Sequence, residues 1–142
     1  MDYYTMNHNQ DNILKITNMM TLENSDAINI AKFITIIRGD IDLGVSLLLL
    51  FKQQAYEYLE TLRYAITVTD KEPHKLFEAA HAIKGAALSV AADKISSLSE
   101  MLEKQIITKK MVHRQDFDDL IQATQELLNH ITMIEMRQYL EK

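Results

Sequence analysis

Cysteine is absent from the 142 residues, which excludes disulfide staples and thiolate metal sites and makes a reducing, cytoplasmic setting the expected one. Tryptophan is absent too, glycine occurs three times and proline once. A chain so poor in turn chemistry is ill suited to hairpins and well suited to long helices. No apolar run approaches the about 18 residues that a membrane span needs; the longest, Val45 to Phe51, is short and interrupted by Ser46. The first residues lack a basic-then-apolar leader pattern. An excess of cationic residues is missing as well. The 15 Lys and Arg against 20 Asp and Glu leave a net charge of −5, which argues against nucleic-acid binding. No glycine-rich phosphate loop is present, so a nucleotide-binding kinase is not supported.

What is there is helical periodicity. Residues 1–23 read as an N-terminal extension, partly disordered or carrying a short helix around Ile13, Leu14 and Ile16. Residues 24–142 read as one helical bundle. Asn24-Ser25-Asp26 offers a cap to a helix carrying Ile30, Phe33, Ile34 and Ile37. Arg38-Gly39-Asp40 reads as a stop, a cap glycine and a fresh N-cap. From there Leu48, Phe51, Ala55, Leu59, Leu62 and Ile66 keep steps of three and four to about Thr67. Leu76, Ala80, Ile83, Ala87 and Val90 form the stripe of a further helix opened by Pro73. Asp93 is the expected cap of a helix with Ile95, Leu98, Leu102 and Ile106 inward, and Thr108 to Gln115 the expected loop. Asp116 would cap a last helix with Phe117, Leu120, Thr124, Leu127, Ile131 and Ile134 inward. The expected fold class is all-α: an antiparallel four-helix bundle with one or two additional N-terminal helices.

One stretch, His81-Ala82-Ile83-Lys84-Gly85-Ala86-Ala87, interrupts this regularity with chemistry. Helical positions i, i+3 and i+4 are surface neighbours, so His81 has Lys84 beside it and Gly85 one turn on. A mid-helix glycine costs roughly 1 kcal/mol relative to alanine, a cost that makes sense where something bulky must reach the imidazole. The lysine supplies positive charge to an incoming anion. Histidine, lysine and gap together point to handling of an anion such as a phosphoryl group. Free imidazole has a neutral nucleophilic nitrogen near pH 7, and phosphoryl transfer asks mainly for positioning and charge stabilisation.

The stretch resembles the histidine phosphotransfer (HPt) domains of two-component phosphorelays, whose signature is H-x-x-K-G followed by small residues. Arg38-Gly39-Asp40 leading into Leu47-Leu48-Leu49-Leu50-Phe51, and Leu98-Ser99-Glu100-Met101-Leu102-Glu103 downstream, are similar to the family's flanking helices. The resemblance covers roughly Ile30 to Gln105. It implies a phosphorelay intermediate without catalytic turnover of its own. His81 would accept a phosphoryl group, through Nε2, from a receiver-domain aspartate and pass it to another receiver; Lys84 would stabilise the phosphoryl oxygens and Gly85 would keep the approach open. The implied partners are response-regulator receiver domains and a hybrid sensor histidine kinase. No cofactor is expected on this chain, since the receiver would bring the Mg²⁺, and a free-standing cytoplasmic monomer is the expected form.

Docking requires an apolar surface around the histidine, for which Phe77, Leu88 and Phe51 are the candidates. Against the family pattern, Ala91 stands where a glycine usually ends the histidine helix, and alanine in the left-handed region costs roughly 1–2 kcal/mol, so this helix is expected to end differently. Two rival readings exist. Glu78 and His81 spell the E-x-x-H pair of di-iron bundles, but no second pair is present, and Lys84 would repel a metal. A purely structural adaptor bundle, binding signalling partners with His81 never phosphorylated, is the alternative from a different class. Glu126 with His130 and Glu78 with His74 read as exposed i,i+4 pairs.

Overall fold

The computed structural model describes residues 27–109 and 111–140, apart from the side chains of residues 138 and 139. Among the described residues there are five helices: α1 (Ile30–Ile37), α2 (Ile41–Thr67), α3 (Pro73–Ser89), α4 (Asp93–Lys109) and α5 (Arg114–Leu140). No strand occurs among the described residues. Helices α2 to α5 form the antiparallel bundle, each packed on its chain neighbour, with α5 closing back on α2 and α1 leaning on α2. The expected class is therefore found with one leading helix. The second expected one, around Ile13, lies outside the described residues. No described helix is long and apolar enough to cross a membrane.

The inward stripes are those the spacing predicts. Leu48, Phe51, Ala55, Leu59 and Leu62 of α2 are buried against Leu76, Ala80, Ile83 and Ala87 of α3 and against Leu120, Leu127, Ile131 and Ile134 of α5. Fully burying one of the Leu, Ile or Phe side chains among these contributes about 1.5–3 kcal/mol. Helix α1 packs through Phe33 and Ile37, both 0 % exposed. It comes close because Gly44 has no side chain: a Cβ there would lie 2.9 Å from Ile37 Cδ1 and 3.4 Å from the Phe33 ring.

Several caps differ from expectation. Asn24, Ser25 and Asp26 lie outside the described residues, and Asn29 caps α1, its side-chain oxygen accepting from Lys32 N–H. Asp40 caps α2 as expected, accepting from Leu43 N–H. Between them Arg38 (φ 53°) as well as Gly39 (φ 72°) is left-handed. Asp93 does not cap α4 but stands inside its first turn. Its carboxylate instead accepts from Asn29 Nδ2 (3.2 Å) and Lys32 Nζ (3.1 Å), tying α1 to the α3–α4 turn. Likewise α5 starts at Arg114, two residues before Asp116, whose carboxylate takes a 2.7 Å hydrogen bond from Gln105 Nε2 on α4. In both places a longer-range partner won the carboxylate from the local backbone. His130 is buried rather than exposed, and Glu126 accepts from Gln122.

The hydrogen bonds from Lys32 and Asn29 hold the Asp93 carboxyl below its ordinary pKa. A folded-state pKa below the unfolded one gives stability that is full above the ordinary carboxylate range and disappears as pH falls through the folded value. Thermal melts taken below about pH 4, the ordinary carboxylate pKa, should therefore show a small acid-dependent loss that Asp93→Asn lacks. The loss is small because the pair is solvent-screened.

The end of α3 corrects one expectation. Ala91 takes the left-handed conformation itself, φ 56°, so the helix ends as it would with glycine. Ala92 N–H donates to Ala87 O (2.9 Å) and Ala91 N–H to Leu88 O (3.4 Å), the paired bonds of a Schellman cap. Ala91 O accepts from Asn29 N–H at 2.9 Å, so the turn also anchors α1. Ala91→Gly should relieve roughly 1–2 kcal/mol of backbone strain against about 0.4–1 kcal/mol of added unfolded-state entropy. A modest rise in melting temperature is the expected result, and a fall would mean that the Ala91 methyl packs more usefully than its φ costs.

Candidate functional site

His81 lies at the middle of α3 on the face opposite the buried stripe of Ile83, Ala80 and Ala87, with its side chain 65 % exposed. Four residues earlier, Phe77 is half-buried and its ring stacks parallel to the imidazole, centroids 6.0 Å apart and planes 8° from parallel. That contact fixes the ring's tilt. Its rotation is fixed by α4. Glu103 Oε1 sits 3.2 Å from His81 Nδ1, and Glu103 Oε2 accepts from Lys84 Nζ at 2.9 Å.

The Glu103 side chain is only 9 % exposed and that of Lys84 23 %. A buried carboxylate needs cationic and hydrogen-bonding partners, and this one has a partner on each oxygen. An ionised carboxylate only accepts hydrogen bonds, so the nitrogen facing it, Nδ1, carries the ring proton and donates. Nε2 is then the nitrogen with the free lone pair, on the side of the ring away from α4. At Gly85, one turn further on, a Cβ would meet nothing within 4 Å. Gly85 therefore adds no bulk to the His81 face of α3.

A family model described as the Hpt domain matches residues 46–139, well over half of the chain. The chain belongs to the Hpt domain family. The match runs through α3 and on beyond α4 to the end of α5, further than the flanking motifs alone reach. No curated protein and no solved structure matches the chain. Membership of the Hpt family brings with it the helical bundle, histidine phosphotransfer within two-component phosphorelays, and receiver domains as the class of partner.

Within this Hpt domain, His81, Lys84 and Gly85 share one face of α3. Leu88 extends it and is 57 % exposed. Phe51 does not join them. It is 1 % exposed, packed in the core on the inward face of α2, so the proposal that it faces a partner is corrected. The second helix bordering His81 is α4. Ile107, one turn beyond Glu103 at i+4 and therefore on its side of α4, is 67 % exposed.

Glu103 was not singled out from the sequence, although two signals pointed to it. It falls between Ser99 and Ile106 at steps of four and three, inside an otherwise inward stripe. Lys84 has no acid at i±3 or i±4 on its own helix, so a half-buried lysine there needs a counter-charge from a neighbour. Glu78, the acid of the E-x-x-H pair, is exposed. Among the described residues no group of three or more His, Cys, Asp or Glu is arranged to hold a metal. Two grooves of about 360 and 370 Å³ lie elsewhere, between α2 and α5 (Tyr56, Arg63, Leu128) and between α4 and α5 (Lys94, Met101, Gln122). His81 lines neither groove and stands exposed on its helix face.

Proposed function

We propose that this Hpt protein is a phosphorelay intermediate in which His81 Nε2 takes a phosphoryl group from the aspartyl phosphate of one receiver domain and yields it to the aspartate of another. The observation that carries the reading is the orientation of the imidazole. Glu103 holds Nδ1, which leaves Nε2 as the nucleophile on the side away from α4, and Gly85, one turn on along the same helix face, adds no bulk there. Lys84, next to the ring and already turned toward it through the shared carboxylate, supplies positive charge for the transferring group. The chain acts as a stoichiometric carrier. The receiver contributes the acidic nucleophile and the Mg²⁺ that offsets phosphoryl charge.

Docking rests on the apolar border of the site. Phe77 and Leu88 lie on the His81 face of α3, and Ile107 on α4 continues the border. A hybrid sensor histidine kinase carrying a receiver is the upstream partner in this reading, and a free response regulator the downstream one. The test is incubation of the full chain with phosphorylated receiver domains, followed by mapping of the label. Acid-labile, base-stable phosphate on His81 is the expected result. A chain that binds receivers and stays unlabelled would instead be an adaptor.

A further inference from the structure

One carboxylate serves two nitrogen partners at this site: Lys84 Nζ lies 2.9 Å from Glu103 Oε2 and His81 Nδ1 3.2 Å from Oε1. The form of the ring that can attack has a free lone pair on Nε2 and carries no charge, so in that form Lys84 is the cation of the two. Taking the proposed function as given, we infer that phosphorylation of His81 drives a charge exchange at Glu103: the imidazole becomes its cation, and Lys84 is released from it to the phosphoryl oxygens.

The exchange follows from the bookkeeping of the transfer. The Nε2 lone pair forms the N–P bond, and the P–O bond to the receiver aspartate breaks with its electron pair going to the carboxylate. No proton moves. Because Nδ1 keeps its hydrogen, the product is an N-phosphorylated imidazolium, and the new positive charge arises on the ring whose N–H already points at Glu103. The Nδ1–H···Oε1 contact changes from a neutral-donor bond to a charge-assisted one, roughly twice as strong. This gain exists only as charge develops, so it lowers the barrier rather than merely tightening the ground state.

The same event frees Lys84. A carboxylate 9 % exposed cannot lose its ammonium partner without a replacement, and the imidazolium is that replacement. The dianionic phosphoryl group on Nε2 offers Lys84 a stronger anion on the same face. Glu103 is therefore a positioning residue with two functions: it fixes which nitrogen is free, and it keeps Lys84 in reserve until there is a phosphoryl group for it to hold. The α3–α4 tie consequently differs between the two states, with Glu103 bonded to both Lys84 and the imidazole in one and to the phosphohistidine ring without Lys84 in the other.

The test uses the full chain and phosphoramidate, whose ammonio group leaves as ammonia as the N–P bond to His81 forms. In ¹⁵N,¹³C-labelled protein, phosphorylation should shift the Lys84 Nζ and Cε resonances and should slow solvent exchange of the His81 Nδ1 proton. Glu103 Cδ should remain that of an ionised carboxylate. In parallel, Glu103→Gln keeps the acceptor and its shape but cannot be anionic; its phosphorylation rate should fall at least tenfold, with a normal melting curve. Labelled wild-type protein with unmoved Lys84 resonances overturns the exchange while leaving the function intact, as does a Glu103→Gln variant that reacts at the wild-type rate. Should that variant not fold, the wild-type spectra still decide. Absence of label on wild-type His81 with phosphoramidate and with phosphorylated receiver domains alike overturns the function and the exchange together.

Discussion

Replacing His81 with glutamine is expected to abolish phosphoryl acceptance from receiver domains, while the melting temperature stays within a few degrees of the wild type. The side chain is 65 % exposed and contributes nothing to the buried stripe of α3, and surface changes outside special contacts usually cost no more than about 0.5 kcal/mol. Two contacts are affected. The stacked Phe77 ring loses a flat neighbour, a contact of the order of 0.5–1.5 kcal/mol in aromatic pairs. The glutamine amide can still donate to Glu103, so the carboxylate keeps both partners. Glutamine cannot form a stable N–P bond, and labelling should vanish from the protein in a receiver transfer assay read by autoradiography. Label retained at the wild-type level would assign the acceptor to His8, His74 or His113 and would end the case for His81. His130 is an improbable acceptor on physical grounds, being 6 % exposed.

The fold was legible because helical periodicity is a property of single segments. Every residue of the expected α3 stripe (Leu76, Ala80, Ile83, Ala87, Val90) is buried, since a stripe on a helix has only one way to escape water in a bundle. The caps were less legible. Asp93 and Asp116 satisfy the local rule for an N-cap, yet Lys32 with Asn29 and Gln105 claim them from other helices, and no local pattern records where those helices will lie. The site divides the same way. His81, Lys84 and Gly85 fall on one face because four residues of one helix dictate it. Glu103 is 19 residues from Lys84 and 22 from His81, and its role depends on the register between α3 and α4, which periodicity leaves open. Phe51 was the reverse case: its place in the step pattern Leu48–Phe51–Ala55 already assigned it to the core, where it lies at 1 % exposure. An apolar docking surface near His81 is a functional requirement, and it does not override the step pattern that places Phe51 inward.

The second large effect is expected at Gly85, where stability and transfer should move in opposite directions. A Cβ at this position meets nothing within 4 Å, so Gly85→Ala should raise stability by roughly 0.5–1 kcal/mol, the usual helix-interior gain, and transfer should stay the same or fall modestly. Gly85→Glu has the same steric freedom and a good helix-forming residue, so its melting curve should also be at or above that of the wild type. Its carboxylate, however, stands one turn from His81 on the side through which a phosphorylated aspartate must come. Lys84 cannot neutralise it, because adjacent positions on a helix do not face each other and the ammonium is already held by Glu103. Charges about 4 Å apart near a protein surface interact by roughly 4 kcal/mol; half of that, set against an incoming dianion, slows transfer by roughly thirtyfold, and the bulk of the side chain adds to it. A melt and a single-turnover transfer assay on each variant make the comparison. A Gly85→Glu protein that melts normally and transfers at the wild-type rate would mean that the receiver does not approach over Gly85, and docking would then rest on Phe77 and Ile107 without the Gly85–Leu88 end of the border.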